Sequence, residues 1–178
     1  TGRSNVAMGT RALYSNTTRS NLVAIGDSAL YFNGVGASFS YHATENTAVG
    51  SKALYSNTTG YENSASGYQS LYSNTSGLMN TSNGAYSLFS NTTGSRNTAN
   101  GHNALHSNTT GIRNTANGYF ALVSNTTGNS NTANGTYALS SNTTGYSNVA
   151  MGIDALSQNQ TGNSLVAVGD SALYRNNG

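Results

Sequence analysis

The sequence predicts an all-β protein, a parallel β-solenoid of ten short coils. Three observations lead there. A 17-residue string recurs down the whole chain. Glycine, leucine and asparagine each hold one position of that string in all ten copies. The residues around them are mainly Asn, Thr, Ser and Gly, which are poor in helix interiors, and the apolar positions do not recur at helical spacing.

The copies begin at Asn5, Leu22, Asn46, Asn63, Asn80, Asn97, Asn114, Asn131, Asn148 and Leu165. They are called coils 1 to 10, and their residues are positions 1 to 17. The spacing is 17 throughout, except for 24 between the second and third copies. That insertion lies within Gly34 to Glu45. Residues 1–178 therefore form one repeat domain.

So strict a period places every copy in the same environment, which is the condition of a solenoid. Seventeen residues are too few for a two-helix repeat, so the coil is expected to be short strands joined by Asn/Gly turns. Parallel strands stack about 4.8 Å apart, giving a rod roughly 48 Å long. Position 3, Ala in every coil except for Ser82, and the Gly at position 5 permit close approach of layers. The Leu at position 9, as in Leu88, Leu105 and Leu122, forms an inner stripe. The Asn at position 12, as in Asn91, Asn108 and Asn125, forms a ladder to the next coil or to its own turn. Gly at position 15 suits a turn with positive φ. One buried Leu per coil supplies only about 2–3 kcal/mol. Further burial against other chains is therefore expected.

Composition excludes several classes. Charged residues are 7% of the chain, and the net charge is +2. Scattered Arg gives no basic patch for nucleic acid. With no Cys there is no disulfide framework and no thiolate metal site. No run of 18 apolar residues exists to span a membrane. The chain starts mid-pattern, as a piece of something longer would.

Positions 2 and 4 share one side of the first strand, because side chains alternate. They read Val6/Met8, Val23/Ile25, Thr47/Val49 and Ser64/Ser66 in coils 1 to 4. Coils 5 to 8 read Thr81/Asn83, Thr98/Asn100, Thr115/Asn117 and Thr132/Asn134, and coils 9 and 10 return to Val149/Met151 and Val166/Val168. Both ends are apolar and the middle is Thr plus Asn. If this face lines an oligomer axis, the ends are dry plugs and the middle is a stack of polar rings holding water or an anion. If it is exposed, it is a flat Thr-x-Asn ladder of the kind that ice-binding solenoids display. Exposed Val/Met pairs favour the axis.

The stretches Asn5-Val-Ala-Met-Gly-Thr-Arg-Ala12, Asn46-Thr-Ala-Val-Gly-Ser-Lys-Ala53 and Asn148-Val-Ala-Met-Gly-Ile-Asp-Ala155 resemble the YadA-like head (Hep/Hag) repeats of trimeric autotransporter adhesins. The longer form with Ser-Asn-Thr-Thr-Gly is similar to repeats of phage tail fibres and related bacterial trimeric surface fibres. The family coil is about three residues shorter, and the extra length here reads as a widened outer turn. The resemblance covers the whole chain. It implies a left-handed β-roll, three chains side by side, projecting from a cell or virion. It carries over no catalytic residues.

Reactive constellations are sparse. Asp27, Glu45, Glu62, Asp154 and Asp170 form no pair suited to acid/base work. His102 and His106 share one coil without further ligands, so no metal is expected. Gly34 and Gly36 lie in the insertion, not before a helix, and give no dinucleotide site. At position 12, Asn-x-Thr/Ser triplets start in eight copies, at Asn16, Asn57, Asn74, Asn91, Asn108, Asn125, Asn142 and Asn159. They are N-glycosylation sequons in a eukaryotic secreted protein and a turn ladder in a bacterial or phage one, and the ladder is the expected reading.

Aromatics gather at positions 6, 7 and 10, and the insertion adds Phe39, Tyr41 and His42. These three, with Tyr119, Phe120 and Tyr137, are the candidate contacts for a receptor or glycan. Packing in a groove between chains is the alternative. The expected function is non-enzymatic: a structural or adhesive segment of an extracellular trimeric fibre, on a bacterial surface or virion. The expected partners are two further copies of the chain and a cell-surface glycan or protein, with no cofactor, nucleic acid or membrane insertion. The alternatives are an ice-binding solenoid and a self-assembling extracellular filament.

Overall fold

The computed structural model describes residues 2–176. Each coil contributes one three-residue strand from positions 2 to 4. In chain order these are β1 Val6–Met8, β2 Val23–Ile25, β3 Thr47–Val49, β4 Ser64–Ser66 and β5 Thr81–Asn83. They continue as β6 Thr98–Asn100, β7 Thr115–Asn117, β8 Thr132–Asn134, β9 Val149–Met151 and β10 Val166–Val168. All ten form a single parallel sheet in sequence order, the β-solenoid predicted from the period. The pairing is in register throughout, as in Thr98↔Thr115, Ala99↔Ala116 and Asn100↔Asn117. The insertion does not shift it, since Val23 still pairs with Thr47. Among the described residues no helix is long and apolar enough to cross a membrane.

Strands are short because the Gly at position 5 ends each one at φ between 123° and 143°. A side chain there is excluded twice. The conformation suits only glycine, and a Cβ on Gly84 would lie 2.6 Å from the Gly101 carbonyl oxygen of the next coil. The rest of the coil is a chain of tight turns rather than a second regular β-layer. The N–H of Ala104 donates to the Gly101 carbonyl at 3.2 Å, and that of Asn108 to the Leu105 carbonyl at 3.1 Å. These turns put non-glycine residues at positions 7, 9 and 17 in the left-handed region, as in Asn103 at φ 57°, Leu105 at 52° and Arg113 at 57°. Each such residue costs about 1–2 kcal/mol and persists only where its surroundings over-determine it. Here the constraint is the next coil: the Leu105 N–H donates to the Ala121 carbonyl at 3.0 Å.

Position 15 corrects the expectation above. In coils 3 to 9 its glycines are not in the positive-φ region. Crowding is the reason for glycine, because a Cβ on Gly94 would meet the Asn91 side chain and lie 2.6 Å from the Gly111 carbonyl oxygen. Coil 1 has Arg19 here, and coil 2 departs from the regular path at this level. The Arg19 guanidinium reaches into the inserted loop, donating to the carbonyls of Ala37 at 2.6 Å and Phe39 at 2.8 Å.

The core is narrow. Leu88, Leu105 and Leu122 are fully buried with the Ala residues of positions 3 and 8. Asparagine shares that core. From coil 3 onward each Asn at position 12 donates to the one in the preceding coil, as Asn108 Nδ2 does to Asn91 Oδ1 at 2.8 Å and Asn125 Nδ2 to Asn108 Oδ1 at 2.8 Å. It also donates to the position 15 carbonyl of its own coil, Asn108 to Gly111 at 3.1 Å. A second buried column runs at position 1. Asn97 Oδ1 accepts the Asn114 backbone N–H at 2.9 Å, while Asn97 Nδ2 donates to the same Gly111 carbonyl at 2.9 Å. The two columns thus converge on one carbonyl per coil. Burying amides is tolerable only when they are so paired.

One aperiodic patch interrupts the alanine core. Ser70, Ser82 and Ser87 are buried together, with Ser70 Oγ 2.8 Å and Ser87 Oγ 2.6 Å from Ser82 Oγ. The three substitutions satisfy one another.

Candidate functional site

Position 3 points into the core, so positions 2 and 4 point outward along the whole sheet. In coils 5 to 8 they make an in-register polar stripe of Thr81, Thr98, Thr115 and Thr132 beside Asn83, Asn100, Asn117 and Asn134. The asparagines link coil to coil: Asn83 Nδ2 to Asn100 Oδ1 at 2.9 Å, Asn100 to Asn117 at 2.8 Å, Asn117 to Asn134 at 2.7 Å. They donate toward the next coil, opposite in sense to the buried column. Beyond the stripe the same face turns apolar. Val49 and Met151 lie in coils flanked on both sides, yet are 38% and 44% exposed.

The six candidate contact residues fall into two clusters. Phe39, Tyr41 and His42 sit together on the inserted loop, with ring centroids 4.9–5.5 Å apart. Tyr61 of the next coil joins them at 5.5 Å from Tyr41. Tyr119, Phe120 and Tyr137 meet at the corner formed by positions 6 and 7, with centroids 4.4–5.7 Å apart. His102 extends that corner, stacking on Tyr119 at 5.6 Å. Tyr68 and Tyr86 continue it, 5.3 Å apart.

A third aromatic set emerges only in three dimensions. The rings of Tyr14, Tyr31, Tyr55, Tyr72, Phe89 and His106, all at position 10, form one stacked column with centroids 4.9–5.2 Å apart. The recurrence of Tyr at this position was the available signal. Continuation through Phe89 and His106 was not, because it depends on stacking rather than on identity. Burial and, after it, the neighbouring His102 hold the His106 imidazole below its ordinary pKa.

Seven of the eight position 12 sequons are enclosed. Asn57, Asn74, Asn91, Asn108, Asn125, Asn142 and Asn159 are buried in the position 12 column. Among the described residues, no three His, Cys, Asp or Glu side chains come together as a metal site. Comparison with protein-family models, curated proteins and solved structures finds no match.

Proposed function

We propose that this chain is a non-enzymatic segment of an extracellular fibre, adhesive or spacing, in which three copies pack side by side through the outer faces of their sheets. The coils wind left-handed in this reading, and the fibre projects from a bacterial surface or a virion. The supporting observation is the outward sheet face. It is continuous and in register over ten strands, unpartnered in one chain, and apolar toward both ends. Exposed Val and Met in register from coil to coil are an aggregation liability unless a copy of the same face covers them. Three such faces around an axis place Val/Met layers at the ends and Thr/Asn rings between, with water among the amides.

Light scattering across a range of concentrations tests the reading. A stable mass of three chains is the expected result. The variant Val149→Thr/Met151→Asn, which copies the middle coils, is expected to weaken assembly. A monomer at every concentration would overturn the trimer.

A monomer would favour a second reading, for which the specific observation is the Thr-x-Asn stripe. Its amides already bond one another, leaving a regular hydroxyl and amide grid facing outward. An ice-binding surface of this kind gives thermal hysteresis, and Thr98→Tyr or Thr115→Tyr abolishes it.

A further inference from the structure

The geometry of the rings separates those that can receive a ligand from those that cannot. In the position 10 column, neighbouring rings lie within 2° to 24° of parallel. Each ring covers the next, so the column offers a ligand mainly edges and hydroxyls. The corner at positions 6 and 7 is built differently. Tyr68 and Tyr86 are perpendicular at 85°, as are Tyr119 and Tyr137 at 89°. Perpendicular neighbours leave ring faces uncovered; His102, 19° from parallel, covers one side of Tyr119 alone, and Tyr68, Tyr119 and Tyr137 are 45%, 47% and 39% exposed. The corner places at least one ring on each of five consecutive coils, 4 to 8: Tyr68, Tyr86, His102, Tyr119 with Phe120, and Tyr137.

Charge follows the same division. Between Tyr68 and Tyr137, positions 6 and 7 hold no Asp, Glu, Lys or Arg. In the outer coils these positions hold Arg11, Asp27, Lys52, Asp154 and Asp170. Amide side chains accompany the rings at Gln69 and Asn103, and the outer asparagine column lies just across the position 5 glycine.

We infer that the corner of coils 4 to 8 is a binding rail for an extended, uncharged polysaccharide lying parallel to the rod axis. A pyranose ring has an apolar C–H face and a rim of hydroxyls. Exposed ring faces take the first and neutral amides the second. The coil rise of about 4.8 Å is close to the length of one sugar unit in an extended chain. Five coils then present successive rings over about 19 Å. The inference rests on the adhesive reading above and names its ligand class.

The test is titration of the full chain with neutral hexasaccharides of β-linked glucose and of β-linked N-acetylglucosamine, followed by saturation-transfer NMR and calorimetry. Binding to at least one is expected. The double variant Tyr119→Thr/Tyr137→Asn is expected to bind about tenfold more weakly. Both replacements occur at the same positions in other coils, as Thr136 and Asn103, and Asn accepts the φ of 56° found at Tyr137. Tyr55→Ser, in the column, is expected to leave binding unchanged. Failure of both sugars to bind, or an equal loss in Tyr55→Ser, overturns the rail. Light scattering on the same samples keeps the two readings apart. A three-chain mass without sugar binding sinks the rail alone. A monomer whose sugar binding depends on Tyr119 and Tyr137 sinks the trimer alone.

Discussion

Two of the asparagine columns along this rod invite comparison, one inside it at position 12 and one outside it at position 4. Their hydrogen bonds are nearly the same length, 2.8 Å from Asn108 to Asn91 inside and 2.8 Å from Asn100 to Asn117 outside. Their sequence behaviour is opposite. Position 12 is Asn in all ten coils, whereas position 4 is also Met, Ile, Val and Ser. Hydrogen-bond geometry therefore does not decide which asparagine is fixed. Burial does, because an inner amide that loses its partner has no water to replace it.

That comparison predicts an ordered set of effects. The largest is Asn108→Ala. It strips the Asn125 amide of one of its two acceptors, the Asn91 oxygen of its side-chain donor and the Gly111 carbonyl of one of its two donors. A loss of about 3–5 kcal/mol in denaturant unfolding is expected.

Next is the buried serine trio. Ser82→Ala alone is expected to cost about 1 kcal/mol, since Ser70 and Ser87 keep carbonyl acceptors at Ser82 and Gly84. Replacing Ser70, Ser82 and Ser87 together by Ala restores the core of coil 7. Its stability is expected within about 1 kcal/mol of the parent chain. A triple variant worse than the single one would mean that the hydroxyls stabilise the fold rather than merely satisfy one another.

Asn117→Ala, on the outer column, is expected to cost less than about 1 kcal/mol, because the released amides meet water. A cost matching that of Asn108→Ala would break the comparison and place the outer column in a dry interface.

The smallest effect is a pH dependence. Burial lowers the His106 pKa from the usual 6.5, so the unfolded chain binds this proton more readily than the folded one. The contribution is fully present above pH 6.5 and is lost as pH falls through the lower folded value. Denaturant midpoints should decline modestly on acidification over that range, the effect being weakened by solvent at a half-exposed ring. His106→Val, the residue of coil 7, should flatten the profile.

Particular residues mark how far the sequence could be read. The strands, their order and the insertion followed from the period, because each copy must bury the same face against its neighbour. Leu105 was legible as an inward position for the same reason, and Asn108 as a ladder, but its full burial was not. The outward pairing of Thr115 with Asn117 followed from strand alternation. The second buried column at position 1 was not legible, since Leu22 and Leu165 interrupt it in sequence. In the fold each leucine is still tied to the column before it, because its backbone N–H bonds the preceding Asn, as Leu22 does to Asn5 and Leu165 to Asn148, both at 3.0 Å.

Sequence by itself determined the repeat, the coil count and the inside and outside of the sheet. Those are consequences of periodicity, and periodicity is a property of one dimension. Tertiary structure alone decided that Arg19 fastens the inserted loop, that position 15 is glycine through crowding, and which rings lie parallel and which perpendicular. Each of those depends on the distance or angle between neighbouring coils. Residues one coil apart are 17 positions apart in the chain, or 24 across the insertion, and only folding brings them within reach.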